Sequence, residues 1–235
     1  MSNFQFKQFS INQANVAMKI GTDSMILGSW ASIGDADTIL DIGTGTGILA
    51  LMLAQRTDAF TIDAVEIDNQ AFETAVNNFE SSPWGDRLFC YHASIQEFAD
   101  EIDDTYDFII ANPPYFDPHA IESVNSRSIA RQTHLLNHMT LLKLTKKLLN
   151  ENGECAFSLP YTSENLFVSL AEKLGFKAYE ILRMKDQKEK PFTRSFIQLG
   201  FIDKSIKINE LVLKNADNSY TDDFKKLTKE FYLNF

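Results

Sequence analysis

An alternation of short apolar runs with longer amphipathic stretches begins at residue 38 and dominates the chain. The runs at residues 38–42 (TILDI), 61–67 (TIDAVEI) and 106–112 (YDFIIAN) contain many β-branched residues and have the length of strands. The stretches between them, such as ILALMLAQR at residues 48–56, are typical of helices. Strands separated by helices pair in parallel, so the pattern predicts an α/β fold with a mostly parallel sheet and helices on both faces.

The last part of the chain breaks this alternation. Two strand-like runs, residues 176–184 and 195–202, follow each other with only a polar loop between them. Such neighbours favour an antiparallel hairpin at the sheet edge, and with it we expect a seven-stranded sheet. A helical pattern over residues 128–150 precedes them and is expected to end at Asn152-Gly153.

Residues 1–37 precede the first strand and belong to the same expected domain. Two alternating runs, residues 4–9 (FQFKQF) and 15–20 (NVAMKI), predict a small hairpin that covers one end of the pocket. The chain has no internal repeat and no linker rich in Pro, Gly or Ser. We therefore expect one domain over residues 1–235, with a cap at residues 1–37 and an α/β core at residues 38–235.

Composition restricts the environment and the chemistry. The 235 residues are 44% hydrophobic, which is enough for a full core. Cys90 and Cys155 are far apart, which argues against a disulfide framework or a thiolate zinc site and favours a reducing cytoplasm. His134 and His138 have helical spacing but lack a third ligand, so no metal is expected. Without a leader or an apolar run of about 20 residues, we expect a cytoplasmic monomer with no membrane segment.

Charge is divided unevenly along the chain. The net charge is −10, which taken alone argues against a polyanionic partner. Residues 1–110, however, hold four Lys/Arg against seventeen Asp/Glu, whereas residues 111–235 hold eighteen against fifteen. Residues 123–150 contain no acidic residue, and a second basic cluster spans residues 183–194. The second half of the chain can therefore face a different partner from the first.

A glycine-rich loop, Asp41-Ile-Gly-Thr-Gly-Thr-Gly47, follows the first strand and opens a helix. Glycines at Gly43, Gly45 and Gly47 let the backbone approach a ligand closely. The spacing is GxGxG rather than GxGxxG, and the Asp41 carboxylate would repel a phosphate but attract an ammonium group. Glu66 ends the second strand, where a carboxylate accepts hydrogen bonds from both hydroxyls of a ribose. The sequence therefore predicts an S-adenosylmethionine site.

The fourth strand of the core runs directly into Asn112-Pro113-Pro114-Tyr115-Phe116. The Asn112 side-chain oxygen and the Pro113 carbonyl form a pair of acceptors that suits an NH2 group. We also expect Asn112 to contact the cofactor. Tyr115, with Phe116 behind it, offers a face on which a planar acceptor stacks. This motif specifies a planar amine or amide, so adenine, guanine and glutamine carboxamide acceptors all remain open.

On these motifs, the chain resembles the bacterial family of tRNA1(Val) (adenine(37)-N6)-methyltransferases. Members of this family have the Rossmann-like class I fold and depend on S-adenosylmethionine. The resemblance covers nearly the whole chain and depends most on AMKIGTDSMILGSW at residues 17–30 and on the C-terminus. It implies methylation of the amino group of the adenine beside the anticodon of a valine tRNA. It also implies that Thr22 contacts the methionine end of the cofactor; alternatively, Thr22 or Asp23 caps a helix whose apolar residues pack in the core. Enzymes of this fold often place an aspartate near the adenine, where this chain has Ser94.

A tRNA substrate gives the basic residues a role. We expect RNA contacts at Phe116 and at two arginines that follow the NPPY loop, Arg127 and Arg131. We also expect them at three residues of the second basic cluster, Lys185, Lys188 and Arg194. Alternatively, the basic residues form an ordinary solvated surface. Three other functions remain as alternatives: a protein glutamine-N5 methyltransferase, an rRNA guanine-N2 methyltransferase, and an inactive RNA-binding module that retains the fold.

Overall fold

The computed structural model describes residues 3–14, 16, 19–113 and 138–234. Its helices are α1 (Thr22–Trp30), α2 (Ile48–Arg56), α3 (Asn69–Glu80), α4 (Ile95–Glu101), α5 (His138–Leu148), α6 (Glu164–Lys173) and α7 (Asp222–Thr228). Its strands are β1 (Asn3–Gln5), β2 (Ser10–Asn12), β3 (Thr38–Ile42), β4 (Thr61–Glu66), β5 (Leu88–His92), β6 (Tyr106–Ala111), β7 (Leu149–Pro160), β8 (Lys177–Gln187), β9 (Phe192–Gly200) and β10 (Lys207–Lys214). None of the helices in these ranges has the length and hydropathy needed to cross a bilayer.

Eight strands form the main sheet, in the order β10-β8-β9-β7-β6-β3-β4-β5. The five strands from β7 to β5 pair in parallel, and β9 pairs antiparallel with both β7 and β8. This confirms the expected fold class and the antiparallel hairpin. The sheet has one strand more than the sequence pattern indicated, because β10 pairs in parallel with β8 outside the hairpin, and the predicted position of the hairpin at the sheet edge is therefore wrong. The signal of β10 is weak because only its second half buries apolar side chains, at Leu211 and Leu213.

The small N-terminal hairpin forms with a different partner from the one predicted. β1 pairs antiparallel with β2, with Phe4 opposite Ile11, whereas the described residues of the run 15–20 are not in a strand. The turn closes with Phe6 N donating to Phe9 O at 2.8 Å, and the two rings stack at 4.7 Å. Burial of Phe6, Phe9 and Ile11 therefore fixes the pairing within the first twelve residues.

The N-terminal hairpin also contacts the other end of the chain. Lys7 N donates to Phe231 O at 2.9 Å, and the Phe6 and Tyr232 rings lie 6.1 Å apart. Asn12 pairs its backbone with the Asn78 side chain of α3 through two hydrogen bonds of 2.9 and 3.1 Å. These contacts hold the hairpin against α3 and the segment after α7.

Helix α5 ends at Leu148, before the expected stop at Asn152-Gly153. Leu149 is buried and pairs with Tyr106 of β6, so strand pairing begins immediately after the helix. Leu149 fits the apolar pattern of a helix as well as that of a strand. The helical pattern of the sequence therefore continues past the residue at which the helix ends.

Two apolar clusters lie on opposite faces of the main sheet, because neighbouring strand residues such as Ile39 and Leu40 belong to different clusters. α1, α2 and α3 pack on one face, and α4, α5 and α6 pack on the other. The carboxyl ends of β3, β4 and β6 meet at one edge of the sheet, where ligands bind in folds of this kind. Since Pro160 at the end of β7 pairs with Arg194, the turn between β8 and β9 lies at this same edge. We call this end of the sheet, at which β3, β4, β6 and β7 end, the carboxyl edge.

Candidate functional site

The glycine-rich loop joins β3 to α2 at the carboxyl edge. Gly43, Gly45 and Gly47 have φ angles of +70°, +60° and +85°, which side chains other than glycine rarely adopt. A Cβ atom at Gly43 or Gly45 would meet no atom within 4 Å, whereas one at Gly47 would lie 2.5 Å from Cε1 of Phe79. The first two glycines therefore leave open space for a ligand, and Gly47 lets the loop pack against α3.

Glu66 ends β4 and connects two loops at this edge. Its side chain is 8% exposed. Its Oε2 accepts a hydrogen bond from Gly45 N at 2.8 Å, and its Oε1 accepts one from Asp68 N at 2.9 Å. A carboxylate oxygen has a second lone pair, so both can still accept a ribose hydroxyl. The expected ribose carboxylate thus also fixes the backbone of the glycine-rich loop.

Asp41, the last residue but one of β3, is fully buried beneath the loop. Its Oδ2 accepts hydrogen bonds from Thr44 Oγ1 at 2.5 Å and from Ala50 N at 3.2 Å. Its Oδ1 has no hydrogen-bond partner among the described residues. Burial raises the pKa of Asp41 to about 7, although both hydrogen bonds act in the opposite direction. A buried carboxylate that lacks one partner suits a cationic group bound at this loop.

These features together fit the expected S-adenosylmethionine. The buried Asp41 carboxylate would be a counterion for an ammonium, the open space at Gly43 and Gly45 would let the ligand approach the backbone, and Glu66 would provide acceptors for a ribose.

Ser94 begins α4 beside the end of β5, on the side of Glu66 where the adenine is expected. Its hydroxyl accepts from Glu97 N at 3.2 Å, and the Glu97 carboxylate accepts from Ser94 N at 2.9 Å. Ser94 therefore caps the helix, and the spacing Ser94-x-x-Glu97 is the capping-box signal from which the sequence could have shown this role. Ile67 directly follows Glu66 and is 43% exposed.

Asn112 follows β6 and has a partner on a distant helix. Its Nδ2 donates a hydrogen bond to Ser24 Oγ of α1 at 2.8 Å. Ser24 is 8% exposed and was not singled out from the sequence, where it stands between polar and apolar residues of α1. Pro113 follows directly and contributes a carbonyl but no N–H. Tyr115 and Phe116 lie outside the described residues.

Thr22 and Asp23 form the first turn of α1. Gly21 is the N-cap and makes no side-chain capping bond, so the expectation that Thr22 or Asp23 caps the helix is wrong. The expected core packing is confirmed, because Met25, Ile26 and Leu27 are fully buried. Asp23 Oδ2 instead forms an ion pair with Arg194 Nε of β9 at 2.7 Å. Thr22 thus starts a helix whose first turn is attached to the carboxyl edge.

The basic residues that the sequence assigned to RNA differ in their surroundings. Arg194 pairs with Asp23, and Lys185 Nζ lies 3.1 Å from Glu210 Oε2. Lys188 is exposed in the turn between β8 and β9. Arg127 and Arg131 lie outside the described residues. Of this set, Lys188 is therefore the described residue with the most exposed position at the carboxyl edge.

Within the described ranges, no three His, Cys, Asp or Glu side chains are arranged to hold a metal ion. His134 lies outside these ranges. His138 begins α5, where its ring contacts the edge of Phe167 at 5.2 Å and burial lowers its pKa. The imidazole of His138 is therefore part of the packing between α5 and α6.

Comparison with known proteins places this geometry in context. A family model described as "Methyltransferase small domain" matches residues 17–156. A tRNA1(Val) (adenine(37)-N6)-methyltransferase of Christiangramia forsetii is 45% identical over 99% of each chain, and one of Flavobacterium johnsoniae is 45% identical over 98% of this chain and 99% of its own. A predicted O-methyltransferase of Agrobacterium tumefaciens shares the fold with a TM-score of 0.68 at 15% identity, covering 88% of this chain and 96% of the other.

Proposed function

Because the chain belongs to the tRNA1(Val) (adenine(37)-N6)-methyltransferase family, we propose that it methylates the N6 amine of adenine 37 in a valine tRNA. S-adenosylmethionine is the methyl donor. The observation that carries the proposal is the identity of 45% over nearly the whole length of both chains. The residues at the carboxyl edge supply the groups that the reaction needs.

Three elements of the glycine-rich loop and β4 hold the donor. Asp41 would be the counterion of its ammonium, Glu66 would accept from its ribose hydroxyls, and the open space at Gly43 and Gly45 would let it approach the backbone. Gly47 keeps the loop packed on α3. When bound, S-adenosylmethionine supplies an electrophilic methyl group on a sulfonium. We further propose that Thr22 and Ser94 border the site at the methionine and adenine ends, and that Asn112 also contacts the donor.

Asn112 and Pro113 act on the acceptor. The Asn112 side-chain oxygen and the Pro113 carbonyl accept hydrogen bonds from the two amine protons of the adenine. An amine conjugated to a ring is a poor nucleophile, and these two acceptors favour the pyramidal form whose lone pair is available. Tyr115 stacks on the ring and holds it in place. Positioning of this kind needs no additional side-chain base.

The tRNA contacts the carboxyl edge around this pocket. We propose that Phe116, Arg127 and Arg131 contact the anticodon loop next to the target base, and that Lys188 contacts its backbone. Lys185 and Arg194 join this surface, although each already has an acidic partner. A tRNA substrate also implies a cytoplasmic enzyme, and we propose that it acts as a monomer with one site per chain.

The test is methylation of defined acceptors by the purified protein. Valine tRNA transcript and S-adenosylmethionine should yield N6-methyladenosine at position 37, identified by mass spectrometry of nuclease fragments. The matched control is the same transcript with guanine at position 37, which should stay unmodified. Methylation of a release-factor peptide or an rRNA fragment in preference to the tRNA would contradict the proposal, as would binding of tRNA without any methylation.

A further inference from the structure

The hydrogen bond between Asn112 and Ser24 joins the expected catalytic carboxamide to helix α1, which lies near the N-terminus of the sequence. Asn112 Nδ2 donates to Ser24 Oγ at 2.8 Å across 88 positions of sequence. The amide oxygen is on the other side of the same planar group, so this bond directs the oxygen away from α1. In the structure, the oxygen end of the carboxamide therefore faces away from the helix.

Helix α1 is a rigid support for this contact. The three residues that follow Ser24 are fully buried in the core. At the C-terminal end of the helix, Arg56 donates to Gly28 O at 2.5 Å and to Ala31 O at 2.9 Å. At its first turn, Asp23 pairs with Arg194 at 2.7 Å. Contacts at both ends thus hold the Ser24 hydroxyl at a fixed place beside the end of β6.

We infer that Ser24 is a positioning residue, which holds the Asn112 carboxamide in the orientation that presents its oxygen to the substrate amine. The inference depends on the proposed function, because it assumes that the Asn112 oxygen accepts a proton of adenine N6. A carboxamide offers an acceptor at one end and two donors at the other, so a rotated amide would direct donors at an NH2 group. In the structure the Ser24 oxygen accepts from Nδ2, and its hydroxyl hydrogen would have to turn and donate to Oδ1 before the amide could adopt the rotated orientation. As a positioning residue, Ser24 acts through Asn112 rather than by contact with a reactant.

The experiment is a double-mutant cycle on single-turnover methylation of the valine tRNA. Ser24→Ala removes the acceptor for Nδ2 and should slow the step at least fivefold, since a misaligned hydrogen bond at a reacting centre is costly; Asn112→Ala should slow it on the order of 100-fold or more. Because Ser24 acts through Asn112, the double variant should be within threefold of Asn112→Ala. The dissociation constants of S-adenosylhomocysteine and of tRNA should change less than twofold in Ser24→Ala.

Ser29→Ala is the matched control on the same helix. The Ser29 hydroxyl is buried and has no hydrogen-bond partner among the described residues, so its removal should leave the single-turnover rate unchanged. Three results would each overturn the inference: a loss of less than fivefold in Ser24→Ala, a further loss of more than threefold in the double variant, or weakened binding of either ligand. If the wild-type protein does not methylate adenine 37, the proposed function fails first, and this is visible before any variant is compared.

Discussion

At the scale of single residues, the most unusual group is the Asp41 carboxylate. It is fully buried, one oxygen lacks a partner among the described residues, and burial raises its pKa to about 7. A carboxyl whose pKa is higher in the folded chain than in the unfolded chain favours folding at low pH, below its ordinary pKa near 4. That contribution is lost as the pH rises through about 7. Above this pH the ionised group benefits from a cation.

This gives a prediction for cofactor binding. S-adenosylhomocysteine carries the same ammonium as the donor, and it should bind roughly 10- to 30-fold more tightly at pH 7.5 than at pH 5.5, because binding requires Asp41 to lose its proton. Calorimetry across this range measures the change. Asp41→Asn has no proton to lose, so its weaker binding should vary little with pH. An equal slope in both proteins would show that another group is responsible.

Sequence reasoning located the site residues that stand at strand ends, and it missed their supports. Asp41, Glu66 and Asn112 end or follow parallel strands, whose carboxyl ends share one edge, so local patterns were enough to bring them together. The pairs Asn112–Ser24 and Asp23–Arg194 join residues 88 and 171 positions apart. Periodicity describes only near neighbours in sequence, and it carries no information about such pairs.

At the scale of elements, the loop between β3 and α2 is shaped by its contact with α3. Gly47 has a φ of +85°, and a Cβ there would lie 2.5 Å from Phe79 Cε1. Asn78, the neighbour of Phe79, donates to Thr46 O at 2.8 Å. Two adjacent residues of α3 therefore determine the position of the glycine-rich loop, which we propose holds the donor.

We predict that Gly47→Ala destabilises the fold by about 2 to 4 kcal/mol, because the added methyl group meets the Phe79 ring and the backbone conformation is strained. Thermal unfolding followed by circular dichroism measures the loss. Gly34→Ala is the matched control: its φ is +61°, but a Cβ there meets nothing within 4 Å. The control should therefore lose only the part that is due to backbone strain. Equal losses would mean that the Phe79 contact is unimportant.

The elements that the sequence pattern misjudged share a physical cause. The first four residues of β10 are all exposed, and its apolar signal is therefore short. The partner of β1 was assigned by alternation, which cannot distinguish residues 10–12 from residues 15–20 without knowing which aromatic side chains are buried. β8, which buries alternate residues, was predictable from its apolar pattern, whereas β10, whose first four residues are all exposed, was not.

At the scale of the whole molecule, ion pairs neutralise most of the second basic cluster. Three of its residues form ion pairs within the fold: Arg183 with Glu164, Lys185 with Glu210, and Arg194 with Asp23. Each of these side chains therefore has a structural contact in addition to any contact with a partner. The β8–β9 turn extends this cluster to the carboxyl edge with Lys188. The charge count of the sequence could not separate these two kinds of basic residue.

We therefore predict that Lys188→Ala weakens tRNA binding and lowers the slope of log affinity against log salt by about 0.7 to 0.9, the amount expected for one phosphate contact. Lys177→Ala is the control. Lys177 is also exposed, but it is the first residue of β8 and lies at the end of that strand opposite to the carboxyl edge. Filter binding across a salt series distinguishes the two. If both variants behave alike, the turn is not part of the docking surface.

The contact between the N-terminal hairpin and the segment after α7 makes the chain suitable for circular permutation. Lys7 N and Phe231 O are hydrogen-bonded, so a short Gly/Ser linker could join the two ends without stretching the structure. New ends could be opened in the exposed loop at residues 203–206, between β9 and β10. Such a permutant would keep β3, β4 and β6 in their original order, and the site could then be studied with fluorophores or tethers placed on the far side of the sheet from the RNA.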